Sequence, residues 1–261
     1  MRIIAGLIAA FLTLGTAGTS PAQNAPPTPV EAWPLAKVQR LGQALYDQDI
    51  AAARGTDALL ARLNGQPPAD LVGWIVIGTG RDQMVRFLAL DGDGFRAAYD
   101  IPVRNGRAGE VVEVAETTLP PEQQAMFRAR LTAANNIGSL RCTPRYNAVV
   151  LDDPDSDGWL VWLLASTNQP NQLILTGHYR FRISADGTEV LRRDQLSGTC
   201  IIQTVDPAQG QLAALNVSHI VSPQPVETHV FASLLYRLPI YVVAGDKLYG
   251  VEGARIREIR R

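Results

Sequence analysis

From Pro34 onward the apolar residues fall at helical intervals. Leu35, Val38, Leu41, Leu45, Ile50 and Ala53 recur three, four or five places apart, close to one helical face. Pro34 suits a first helical turn, and Gly55-Thr56 is expected to break the helix in two, with Thr56 or Asp57 capping "DALLARL". Asp47, Asp49 and Asp57 read as the wet face of this helix. A second helix is predicted over Leu119 to Asn136, with prolines at its start and Glu122 in the first turn.

Elsewhere the period is that of strands. "GWIVIGTGRDQMVRFLAL" reads as two strands around Gly80-Arg81-Asp82, and Asn105-Gly106 marks a hairpin in "FRAAYDIPVRNGRAGEVVEV". "GTGRDQ" lacks the spacing and the Lys-Ser/Thr of a phosphate loop. In "HYRFRIS", His178, Arg180 and Arg182 alternate with Tyr179, Phe181 and Ile183, the pattern of a half-buried antiparallel strand. Strands continue to the C-terminus, while "VETHVFASLLYRL" fits either an apolar helix or a strand. No βαβ rhythm is evident. The expected class is α+β: antiparallel β-meander sheets, two or three helices packed on one face, and one disulfide.

The ends add the compartment. Arg2 precedes an apolar run from Ile3 to Leu14, too short for the roughly 20 residues of a spanning helix, and small residues follow. Residues 1–22 therefore read as a secretory signal cut after "SPA", with residues 23–33 as a flexible proline-rich leader. Residues 34–261 are expected to form a single domain, a division near 138–145 being the alternative. No second spanning stretch follows, so the expected location is periplasmic or secreted. Cys142 and Cys200 are the only cysteines, and in an exported chain an even count predicts one disulfide. Without Arg2 the chain carries 23 basic and 25 acidic residues, a balance that excludes an ordinary nucleic-acid binder.

The stretches "GQALYDQDIAAARGTDAL", "GHYRFRISADG" and "PVETHVFASLLYRLPIYV" together resemble a group of uncharacterised exported proteins from proteobacteria. The resemblance spans most of the expected mature chain. It implies a single exported unit and brings no catalytic residues with it.

Candidate chemistry centres on "HIVSPQPVETHVF". If Glu227 and His229 lie on a strand they share a face, and His219, beyond two prolines, could be brought alongside. His219, Glu227 and His229, with His178 as a further donor, have the ligand types of a zinc site but none of the short spacings. In "DDPDSDGW", Asp153, Asp155 and Asp157 match the first half of a calcium loop, but Leu164 stands where the bidentate Glu belongs. No GxSxG elbow accompanies the histidines. The leading expectation is a non-catalytic binding or envelope-associated domain that needs no cofactor, its partner an envelope protein or a small ligand. The alternative is a metal-dependent hydrolase using His219, Glu227 and His229.

Overall fold

Helix α1, Leu35–Arg62, runs unbroken through Gly55. A computed structural model describes residues 29–206, 208 and 211–260. The segment expected to be a secretory signal, residues 1–22, lies outside the described residues. The break expected at Gly55-Thr56 is absent for two local reasons. A Cβ at Gly55 would meet the Val85 Cβ at 2.8 Å, so glycine lets the helix lie directly on a strand. Thr56 Oγ1 meanwhile donates back to the Ala52 carbonyl at 2.7 Å, which keeps its hydroxyl satisfied within the helix. Close packing here outweighs the roughly 0.5–1 kcal/mol that glycine costs inside a helix.

Strands β1 (Leu71–Ile77), β2 (Asp82–Asp91), β3 (Gly94–Arg104), β4 (Arg107–Ala108) and β5 (Val112–Glu113) form the first sheet, all antiparallel. Asn105 and Gly106 close the β3–β4 hairpin with φ of 50° and 70°, the left-handed pair that a tight hairpin turn requires. Helix α2 (Pro121–Asn135) follows, with Pro121 opening it and Glu122 in its first turn.

Strands β6 (Arg145–Asp152), β7 (Trp159–Ser166), β9 (Tyr179–Ile183) and β10 (Val190–Gln195) build the second sheet in the order β10-β9-β7-β6. The short β8 (Gln172–Ile174) pairs with β11 (Ile202–Thr204). Successive side chains of a strand face opposite ways, and β7 uses both faces. Leu160, Trp162 and Leu164 enter the largest core, whereas Trp159, Val161 and Leu163 face a second core beneath α2. Cys142 and Cys200 are joined as predicted, tying the exit of α2 to the approach of β11.

The third sheet departs from a pure meander. Strand β12 (Leu215–His219) runs parallel to β13 (Ile240–Ala244), and helix α3 (Glu227–Tyr236) makes the crossover. The ambiguous "VETHVFASLLYRL" is thus mostly helix, and one βαβ unit exists where no such rhythm is visible in the sequence. Antiparallel β14 (Lys247–Glu252) and β15 (Arg255–Ile259) complete the sheet. Helix α1 binds the cores together: Val38 and Leu45 enter the largest, and Ala51, Ala52 and Leu59 pack on the first sheet. The fold is α+β. Among the described residues no helix is long and apolar enough to cross a membrane.

The leader expected over residues 23–33 falls within the described residues only at its end, and there it is not loose. Val30 and Trp33 are buried in the largest core, and the Val30 amide donates to the Val221 carbonyl at 2.9 Å. An aromatic and a branched side chain supply the apolar area that anchors this strap, a signal that the neighbouring prolines conceal.

Candidate functional site

The three histidines are buried and come to one region, yet each has a structural occupation. His219, at the end of β12, meets His229 of α3 edge to face, with ring centroids 4.8 Å apart. His219 Nε2 lies 2.9 Å from Ser222 Oγ, and Ser222 gives its own proton to the Gln224 carbonyl at 2.5 Å. The serine hydroxyl is therefore committed to a turn carbonyl and has no basic nitrogen drawing its proton. His229 Nδ1 accepts the Val226 amide at 3.0 Å and closes the first turn of α3. His178 Nδ1 accepts the Ala165 amide within the second sheet at 3.0 Å. Burial lowers the pKa of both His178 and His219 to about 4. His229 falls well below the ordinary value, through burial first and then its histidine neighbours. All three rings are neutral at pH 7.

Glu227 does not join them. Its carboxylate accepts Trp162 Nε1 at 2.8 Å and Arg180 at 3.0 and 3.2 Å. Arg180 also pairs with Asp194 at 2.5 Å, donates to the Glu31 carbonyl and lies 3.7 Å from the Trp33 ring centroid. The expected ligand set of His219, Glu227 and His229 is not assembled, and the reason is element type. Two positions apart on a strand share a face, but on a helix they stand about 200° apart. Among the described residues no group of three or more His, Cys, Asp or Glu is placed to hold a metal ion.

The three aspartates of the expected calcium loop also have separate surroundings. Asp153 is buried and shapes the β6–β7 turn, accepting the Asp155 amide and the Ser156 hydroxyl, each at 3.0 Å. Asp155 pairs with Lys37 at 2.5 Å and with Arg182 at 2.9 Å, and the Lys37 hydrogen bond holds its carboxyl below the usual range. Protein cations balance the charge that a calcium ion would neutralise. Asp157 is exposed.

A different place has the features of a binding site. Strand β1 is the edge of the first sheet and β6 the edge of the second, and both line a cleft flanked by α1 and α2. The cleft has an inner chamber of about 200 Å³ and an outer one of about 590 Å³, with Gln48, Val76, Met126 and Val150 in the walls of both. The outer chamber lies within the roughly 300–1,000 Å³ common for small-molecule sites. Gln48 Nε2 donates to the Gly78 carbonyl at 3.1 Å, covering the end of edge strand β1.

Three charged residues line the inner chamber: Asp57, which is exposed, and Arg130 and Asp49, which are half-buried and have no counter-ion. Arg130 of α2 stacks over Trp74 of β1, 4.1 Å from the ring centroid, and donates to the Trp74 carbonyl at 2.9 Å. Burial lowers its pKa to about 10, so it stays protonated, and among the described residues no carboxylate pairs with it. Gly73 admits this arrangement, because a Cβ there would sit 3.1 Å from Phe127 and 3.8 Å from the Arg130 guanidinium carbon. On the α1 wall, Asp49 accepts Asn147 Nδ2 at 3.0 Å and has no cation beside it. Burial pushes its carboxyl up, with the Asn147 hydrogen bond opposing. Asp49 was expected on the wet face; it is half-buried, with Asn147 of β6 bonded to it. Compared with protein families, curated proteins and solved structures, the chain matches none.

Proposed function

We propose that this chain is an exported, non-catalytic α+β domain, periplasmic or secreted, that holds a small organic ligand in the cleft between β1 and β6. One observation carries the reading: Arg130 stands protonated in an inner chamber with no carboxylate partner. A desolvated cation without a counter-ion is costly, and an anionic group from outside would relieve that cost. The disulfide and the apolar run at residues 3–14 support an oxidising compartment. The histidines, held on ring contacts and backbone amides, support binding over turnover.

Trp74 provides the test, since its ring forms a wall of the inner chamber. A fragment library of small acids, amines and amides is titrated into the full mature chain and read by tryptophan fluorescence and by amide chemical shifts. Perturbations gathering at Trp74, Arg130 and Asn147 are expected. Shifts scattered over the surface, with Trp74 silent, overturn the proposal.

A further inference from the structure

We infer that the ligand is a small zwitterion, a molecule with a carboxylate and a protonated amine on one carbon and an apolar side chain, as in a free amino acid. This deepens the binding reading above and rests on it. The inner chamber presents one unpaired cation, Arg130, and one half-buried acid, Asp49, on walls supplied by different helices, while the second acid of the lining, Asp57, is exposed to solvent. A simple anion would leave Asp49 uncompensated, and a simple cation would leave Arg130 so. A ligand with both charges satisfies the two groups together and adds no net charge between them.

The rest of the chamber agrees with this assignment. The Arg130 fork donates through one nitrogen to Trp74, and its remaining N–H groups match the two oxygens of a carboxylate. The stacked Trp74 ring holds the guanidinium plane in place. Asn147 gives its amide hydrogen to Asp49, so its own carbonyl oxygen is available to accept from an ammonium. The inner volume of about 200 Å³ suits a compact head group. Leu41, Ala44, Ile77, Met126 and Leu151 give the wider chamber an apolar stretch, beside Lys37, Arg40, Glu122 and Asp152, on which an aliphatic or thioether side chain would rest. The methionine in the shared wall adapts to side chains of different shape, which favours a range of apolar amino acids over a single one.

The test uses the unaltered protein first. Calorimetric titrations compare L-leucine and L-methionine with 4-methylpentanoate, which lacks the amine, and 3-methylbutylamine, which lacks the carboxylate. The expected result is that the amino acids bind at least about tenfold more tightly than either half-molecule, with quenching or enhancement of Trp74. In Asp49→Asn the advantage over 4-methylpentanoate is expected to vanish while binding of that acid persists. In Arg130→Gln the advantage over 3-methylbutylamine is expected to vanish. Equal binding of L-leucine and 4-methylpentanoate by the wild-type chain overturns the inference and leaves the cleft as an anion site. Absence of binding by all four compounds, with fragments still mapping to Trp74, also overturns it and leaves the binding reading intact. If the fragments fail too, both readings fall.

Discussion

The Glu227 carboxylate and the Arg180 guanidinium face each other at 3.0 Å, with side-chain exposures of 0% and 2%. The pair joins the start of α3 to β9 and so fixes the crossover helix against the second sheet. Removing Glu227 leaves Arg180 with Asp194 as its remaining carboxylate and Trp162 Nε1 without its acceptor, a loss of about 1–3 kcal/mol. Glu227→Ala is expected to fall in that range by urea denaturation. Glu227→Gln should lose clearly less, because an amide oxygen still accepts from Trp162 and Arg180. Equal losses in the two variants would show that packing, and not the ion pair, holds this junction.

The histidines predict acid sensitivity. An unfolded histidine titrates near 6.5, whereas folded His178 and His219 titrate near 4. Between those values the unfolded chain binds more protons, so stability is complete above pH 6.5 and declines as the pH falls towards 4. Each of the two groups removes about 2 kcal/mol at pH 5. Asp49 acts in the opposite sense, since its raised carboxyl pKa favours the folded state in acid. Denaturation midpoints measured at pH 7.5 and pH 5 should differ accordingly, with a smaller difference in His178→Gln. A flat profile would mean that the rings gain protons in place.

Gly55 distinguishes packing from propensity. In an exposed helix, glycine to alanine is stabilising by about 1 kcal/mol. Here the new methyl would meet Val85, and a net destabilisation of roughly 1–3 kcal/mol is expected. Gly55→Ala combined with Val85→Ala should recover part of the loss. If the single variant melts higher than wild type, α1 does not lie on β2 as described.

Asp155 predicts indifference to calcium. Its partners are Lys37 and Arg182, and its side chain is 47% exposed, so Asp155→Ala should cost about 1 kcal/mol or less. Thermal melts with calcium or with a chelator should coincide in both proteins. A calcium-dependent rise in wild type that disappears in the variant would restore the metal reading of this turn.

Local patterns were informative where one element decides the outcome. The period of α1, the Asn105-Gly106 hairpin, the prolines opening α2 and the cysteine pair all express short-range chemistry, and each appears as expected. The errors share a different cause. "VETHVFASLLYRL" is apolar throughout, so periodicity could not separate helix from strand, and the directions of Glu227 and His229 depended on that choice. Asp49 and Arg130 look like ordinary polar helix positions. Their importance arises only when two sheet edges, from segments some seventy residues apart in the chain, close around them. No local spacing records such a juxtaposition.

The strap at Val30 and Trp33 bears on how the chain reaches its native state. Its partners, Arg180 and Val221, are among the later residues to leave the ribosome. During N-to-C synthesis the strap is therefore made long before the seat it docks on. Loop closure over nearly two hundred residues must precede that docking, which makes it a late event in assembly. Until then the Trp33 indole and the Val30 side chain remain uncovered. The strap is thus seated only in a chain that has been made past β12 to Val221 and folded.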